Sequence, residues 1–412
     1  MPLSGSENDH AALAAPALRE SALRESAQPS SGSAGEVFWV FLRLGVTAFG
    51  GPVAHIAAME DEIVRRRQWV SGEEFLDLLS AANVIPGPNS TELAIHLGYR
   101  RAGIRGLVAA GLAFIVPATL LVWLIAIGYT RYGQRPEVGT MLAGMQPVVL
   151  AVVTHALWRL RNHVMRSPLH VAITVSGALA VLAGVHELVV LAGAAAVGLL
   201  LAAGGRGTSS QVPVLLSASA LKRSGAAALT TLAVAAAPTA ATVFTSFLKI
   251  GSVLFGSGYV LLAFLRAEFV VRHGWLTEGQ LLDAIAVGQI TPGPVFTSAT
   301  FVGYLLAGHM GAVAATVGIF LPAFVFVAVS GPLLRQVRQS PRLSAALDTV
   351  NAASLALMAA VVVSMLRPIA SSVSALVIFL GAAVLLMTSR IGAGWLLLGG
   401  GILGLFRMLL AL

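Results

Sequence analysis

The sequence predicts an all-α polytopic membrane protein built from two homologous halves, and three observations carry that prediction. The first is composition: 57% of the 412 residues are hydrophobic and 11% are charged, against about 25% charged in ordinary soluble domains. The second is block structure. Val108 to Gly128, Val138 to Trp158 and Leu169 to Val185 run almost without charge. Each is close to the ~20 residues that cross ~30 Å of hydrocarbon. Short alternating segments, the mark of a membrane β-barrel, do not occur, so the spans are read as helices, which satisfy their backbone groups internally.

The third observation is a repeat. Phe41 to Pro88 aligns with Phe247 to Pro294 at an offset of 206, with 15 identities in 48 positions. Among them are Gly45/Gly251, Glu62/Glu268, Trp69/Trp275, Asp77/Asp283 and a whole Pro-Gly-Pro triplet. Hydropathy alone does not select Trp, Asp, Glu and paired prolines. A one-residue slip then aligns Gly98-Tyr99 with Gly303-Tyr304 and Pro117 with Pro322. The chain divides into a disordered polar N-terminal tail (1–35), a first transmembrane repeat (36–205), a linker (206–241) and a second repeat (242–412). The tail lacks the apolar core of a secretory signal.

The expected elements of half one are a span at 37–58, a broken segment at 73–98, and spans at 106–128, 138–158, 168–186 and 187–203. Half two is expected to repeat them at 243–264, 278–304, 312–330, 344–366, 370–388 and 393–412. If each broken segment dips in and returns, each half has five full spans. The basic loops at 65–67, 100–105, 159–166 and 206–223 then share one side, which the positive-inside rule makes cytoplasmic. An odd number of spans makes the repeats inverted. The stretch 225–241 decides this, because a span there would make them parallel.

Interrupted apolar segments at matching repeat positions are the sequence signature of a secondary transporter's binding site. Pro86-Gly87-Pro88 and Pro292-Gly293-Pro294 are such interruptions. Proline removes a donor, clashes with the preceding turn and favours the first position of a new helix. The next backbone N–H groups have no helical acceptor and point along the positive end of the helix dipole, which suits an anion. Asn89, Ser90, Thr91 and Thr297 add side-chain donors. Arg43 and Lys249, several residues inside their apolar blocks, read either as snorkelling cations or as charges facing the anion path. Glu92 and His96 share a helix face one turn past the first break. They are candidates for carrying a coupled proton, as Asp77 and Asp283 are for bracing the breaks or holding a coupling ion. The small-residue stretches around Gly50-Gly51 and Gly256 read as close helix packing or as bare backbone beside the path.

The chain has no cysteine, which excludes thiol redox chemistry and iron–sulfur clusters. The nine histidines show no metal-ligand spacing and no triad, so no metal, no cofactor and no enzyme is expected. The +8 charge sits in short loops and shows no nucleic-acid-binding motif. A structural membrane component is the bland alternative, and the paired breaks argue against it.

Phe41-Leu-Arg-Leu-Gly45, Phe49-Gly-Gly-Pro-Val-Ala-His55, Pro86-Gly-Pro-Asn-Ser90 and Gly98-Tyr99 resemble the first domain of the chromate ion transporter family. Phe255-Gly-Ser-Gly258, Pro292-Gly-Pro-Val-Phe-Thr297, Phe320-Leu-Pro-Ala323 and Val350-Asn-Ala-Ala353 resemble its second domain. The likeness covers nearly everything after residue 36. It implies a long-chain, two-domain exporter of chromate in the inner (plasma) membrane, driven by the membrane gradient and conferring chromate resistance. It adds His55 and the glycines beside it to the candidate site. In half two, Ser257 and Tyr259 depart from the glycine-rich run the family leads one to expect. Sulfate, equal in charge and shape, remains the alternative substrate. The expected partners are the anion, the lipid bilayer and, for assembly, a second copy of the chain as a homodimer.

Overall fold

A computed structural model describes residues 32–49, 51–83, 85–203, 237–255, 258–389 and 391–410. Half one runs α1 (Ala34–Thr47), α2 (Pro52–Met59, continuing as a π-helical Glu60–Arg66), α3 (Gly72–Ala82), α4 (Asn89–Tyr132), α5 (Pro136–Val164), α6 (Pro168–Leu182) and α7 (Glu187–Ala203). Half two runs α8 (Ala240–Val253), α9 (Leu261–Leu265, continuing as a π-helical Arg266–Arg272), α10 (Glu278–Ile290), a 3₁₀ turn Val295–Thr297, α11 (Ser298–Gln339), α12 (Pro341–Ala370), α13 (Val373–Thr388) and α14 (Ala393–Leu410). The described residues contain no strand. The repeat is thus structural as well as sequential. Both bounds of α1 and α8, and both bounds of the π-helical pieces, differ by the same 206 residues that separate the sequence motifs.

The two long helices α4 and α11 each double back early. Ala102 (φ −144°, ψ 27°) and Gly103 (φ 60°, ψ −148°) break α4; Ala307 (φ −143°, ψ 30°) and Gly308 (φ 60°, ψ −147°) break α11 in nearly the same way. Only glycine occupies that backbone region without strain. The turn is tight enough that a methyl on Gly98 would lie 2.4 Å from the Gly106 carbonyl oxygen, and one on Gly303 would lie 2.2 Å from that of Gly311. The charged cluster Arg100-Arg101-Arg105 therefore flanks this hairpin turn, where the sequence placed a basic loop between helices. Arg100 bonds Glu74 at 2.5 Å and Arg101 bonds Glu36 at 3.0 Å.

Among the described residues four helices are long and apolar enough to cross a bilayer: α4, α5, α11 and α12. Their surroundings agree. Val108, Leu112, Val116, Leu120 and Leu124 of α4 face outward at four-residue spacing, and so do Val313, Val317, Leu321, Val325 and Val329 of α11. Two apolar outer stripes at equivalent positions have no place on a water-exposed surface and suit lipid. This is a membrane protein.

The halves exchange their C-terminal helices. α12 packs on α6 and α7 of half one, and α5 packs on α13 and α14 of half two. Small residues make the contacts close: a methyl on Gly198 would lie 2.6 Å from the Ala345 carbonyl oxygen, and one on Gly144 would lie 2.2 Å from that of Gly400. α6 and α12 run in the same direction, since Thr174 bonds the Ala352 carbonyl at 3.1 Å and Gly177 faces Ala356. α5 turns into α6 through three residues and so runs against both.

Two expectations need correction. The spans expected at 37–58 and 243–264 are each interrupted: α1 ends at Thr47 and α2 starts at Pro52, while α8 ends at Val253 and α9 starts at Leu261, and in the first interruption Gly51 has a positive φ of 80°. Each half therefore carries two breaks, not one. Most of the segment 225–241, along with residues 1–31, Gly50 and Gly256, lies outside the described residues.

Candidate anion site

The breaks of the two halves cross and hold each other. The Gly87 N–H donates to the Leu254 carbonyl at 2.8 Å, and the Gly293 N–H donates to the Ala48 carbonyl at 3.2 Å. Positions 48 and 254 are repeat equivalents, as are 87 and 293. So each Pro-Gly-Pro reaches the other half at the point where that half's first helix ends. Both glycines have positive φ (142° and 89°). Gly87 faces Ala323, and Gly293 lies closer still to Ala118, again an equivalent pair. Prolines supply no donor of their own, so the intervening glycine provides the one N–H that ties each break across the interface.

Where the breaks meet there is a cavity of about 90 Å³ lined by Pro52, Ile56, Pro88, Asn89, Ser90, Leu160, Gly258, Pro294, Val295 and Phe296. Two helix starts border it: α4 at Asn89 and the 3₁₀ turn at Val295. The structure thus brings Pro88, Asn89, Ser90 and Pro294 together, with Gly51 and Pro86 in the adjoining backbone. Pro292 and Gly293 do not line the cavity, and Gly293 packs against Ala118.

His55 is fully buried and ties two pieces of this wall together. Its Nε2 lies 3.2 Å from the Ala48 carbonyl and its Nδ1 lies 3.3 Å from Ser90 Oγ. A carbonyl only accepts, so Nε2 carries the hydrogen, and in the neutral ring Nδ1 accepts from the Ser90 hydroxyl. Ala48 therefore accepts from both His55 and Gly293. Asn89 Nδ2 donates to Asn83 Oδ1 at 2.5 Å, which spans the first break from side to side.

The other candidate residues are placed as follows. Glu92 is 0% exposed beneath Gly87, and neither carboxyl oxygen has a hydrogen-bond partner among the described residues. Thr91 beside it is also fully buried, and its hydroxyl is likewise unpaired. His96 is buried one turn on. Thr297 turns its hydroxyl back to the Pro294 carbonyl at 2.8 Å. Asp283 is buried and accepts from Tyr129 Oη at 2.9 Å and Gln146 Nε2 at 3.0 Å, linking α10 to half one. Asp77, its equivalent, is exposed on α3. Lys249 is not brought to the cavity: its Nζ lies 2.6 Å from Glu268 Oε2, and Arg272 pairs with the same carboxylate. Arg43 is exposed on α1 beside a shallow pocket with Asp61, Glu62 and Arg66.

A second, larger cavity of about 290 Å³ adjoins the first and shares Asn89 and Leu160 with it. His163 and Arg166 at the end of α5, His170 of α6, and Asp348, Asn351 and Ser354 of α12 line it, with Asn83. Asn83 and Asn89 stand beside the first break and read from the sequence as donors to an oxyanion, but the other residues have no role in a site on that reading. Their signal is faint: Asn351 and Ser354 are polar residues in an apolar span, and Arg166 counts only as a loop charge until α12 of the other half is seen against it.

The family model described as "Chromate transporter" matches residues 35–199 and again 241–405. The chromate transport protein of Pseudomonas aeruginosa is 35% identical over 351 residues, 83% of this chain and 83% of that protein. The chromate transport protein of Cupriavidus metallidurans is 30% identical over 373 residues, 89% of this chain and 91% of that one. A probable chromate transport protein of Synechococcus elongatus is 32% identical over 331 residues, 78% and 82% of the two chains. No solved structure matches the chain.

Proposed function

The chain belongs to the chromate transporter family, and on that premise we propose that it exports chromate from the cytoplasm across the inner (plasma) membrane, conferring chromate resistance. The crossed Pro-Gly-Pro breaks are the substrate site. The observation that carries this reading is the reciprocal pair of bonds, Gly87 to Leu254 and Gly293 to Ala48. It sets two helix starts at one cavity, where unpaired N–H groups and the dipoles favour an anion. Non-helical backbone at membrane depth is tolerated where it lines such a cavity.

The repeats are inverted in this reading. The support is that α5 and its equivalent α12 run in opposite directions, so that the end of α5 and the first half of α12 line one cavity. The basic residues at 159–166 put that cavity on the cytoplasmic side. An inside-negative potential is worth about 2.3 kcal/mol per charge per 100 mV, and about twice that for a departing dianion, so the potential alone drives export. Glu92, buried beside the first break without a partner, is the group we assign to any coupled proton.

The test is chromate flux into inside-out vesicles with an imposed potential and excess sulfate as competitor. Potential-dependent accumulation that sulfate does not abolish supports the reading. An absence of flux under every gradient refutes it.

A further inference from the structure

We propose that the larger cavity is a second oxyanion station, a cytoplasmic antechamber in which the substrate is held before it reaches the breaks. This rests on the reading of the chain as an oxyanion transporter and adds a site to it. The cavity gathers one guanidinium (Arg166), two imidazoles (His163, His170), three amides (Asn83, Asn89, Asn351) and one hydroxyl (Ser354) from four helices and two connecting segments of both halves. All of these can donate to an anion.

An independent observation points to a ligand. Ser354 is 1% exposed, and its Oγ has no hydrogen-bond partner among the described residues although it lines the cavity. Buried polar groups are normally satisfied, so this hydroxyl is left for something the cavity receives. The volume fits a hydrated anion: about 290 Å³ is on the order of ten water volumes at ~30 Å³ each. The donor set is also not a by-product of the fold. α5 and α12 begin at Pro136 and Pro341, an offset of 205. At that offset the equivalents of His163, Arg166, His170, Asn351 and Ser354 are Pro368, Ser371, Ala375, Gln146 and Val149. Among these equivalents the one amide, Gln146 of the first half, is already bonded to Asp283, and the one hydroxyl, Ser371, is bonded to the Pro368 carbonyl.

Among the described residues Asp348 is the one acid that lines the cavity, and it makes the proposal sharper. An anion station requires that removing Arg166 and removing Asp348 act in opposite directions. A cation site requires the reverse, and a merely structural cavity shows no such opposition.

The experiment is equilibrium dialysis of radiolabelled chromate against purified full-length protein, with flux in inside-out vesicles measured on the same variants. Arg166→Gln is expected to weaken binding by about tenfold, the loss of one modest charge-assisted contact. Ser354→Ala should weaken it less, and Asp348→Asn should strengthen it. Gly293→Ala, which disrupts the breaks, should abolish flux yet leave bound chromate that still responds to Arg166→Gln. Binding indifferent to Arg166→Gln and Ser354→Ala, or weakened by Asp348→Asn, overturns the station while normal flux leaves the transporter reading intact. Wild-type protein that binds chromate in this pattern without moving it would refute transport and keep the station.

Discussion

Gly293→Ala is the substitution whose cost can be worked out from the structure, and Gly308→Ala is its control. Both glycines have positive φ, 89° and 60°, and a side chain in such a region costs about 1–3 kcal/mol. At Gly308 nothing lies within 4 Å of the added methyl, so that is the whole cost. At Gly293 the methyl would lie 2.8 Å from Ala118 Cβ. Neither atom is the end of a flexible chain, so crowding adds about 1–3 kcal/mol. The totals are about 1–3 against about 2–6 kcal/mol. The assay is the thermal midpoint of each variant in detergent, with flux in parallel. Gly293→Ala should fall further than Gly308→Ala and lose flux. The decisive variant adds Ala118→Gly. Alone it weakens α4, since glycine costs about 1 kcal/mol in a helix. With Gly293→Ala it removes the clash, so the pair should be less unstable than the sum of its parts. Residues in direct contact couple by about 0.5–3 kcal/mol. Strictly additive midpoints would refute the placement of the second Pro-Gly-Pro against α4, and with it the crossed arrangement of the breaks.

Other consequences are open to measurement. Ser90→Ala removes the bond to His55 at the cavity wall and should cost about 1 kcal/mol of stability, with a larger loss of flux than of fold, read by comparing midpoint and flux. Tyr129→Phe and Gln146→Leu each strip a donor from buried Asp283 and should cost about 1–3 kcal/mol; midpoints equal to wild type would mean that the α10 contact with half one does not form. Glu92→Gln keeps the shape of the side chain, so the protein should fold, and its flux should lose whatever pH dependence the wild type has; an unchanged pH profile would remove Glu92 from coupling. A single cysteine at position 166, in a chain with none of its own, should react with an impermeant thiol reagent in inside-out vesicles and not in intact cells, and the opposite pattern would reverse the orientation.

The sequence carries the helical class, the repeat and the positions of the Pro-Gly-Pro breaks because each depends on local chemistry: long apolar runs, matched Trp and Asp, and prolines that cannot continue a helix. The site was legible only in part. Asn89 and Ser90 follow a proline and inherit its geometry, so their place at the cavity can be argued from spacing. The second break in each half was harder to see, because 37–58 is apolar apart from Arg43, Thr47 and His55, and one Gly-Gly-Pro run is all that interrupts it. Lys249 looks like a charge facing a pathway because Glu268, its partner, is 19 residues away and on another helix. The larger cavity was legible only at its edge, at Asn83 and Asn89. It exists because α12 of one half lies against the end of α5 of the other, and no local pattern encodes that exchange.

The two halves share a frame but not its uses, and the difference falls on equivalent positions. Gln146 and Asn351 match at an offset of 205 in two helices that start with matching prolines. Gln146 donates to Asp283 and so joins α5 to α10 of the other half. Asn351 instead faces the cavity that holds Arg166 and His170. A strictly symmetric pair of repeats would present the same chemistry to both sides of the membrane and favour neither. Here a buried carboxylate, a phenol and an amide fill one position, while its counterpart opens on donors suited to an anion. The repeat supplies two helix starts at one point, and the residues that break the repeat make the two approaches to that point chemically different.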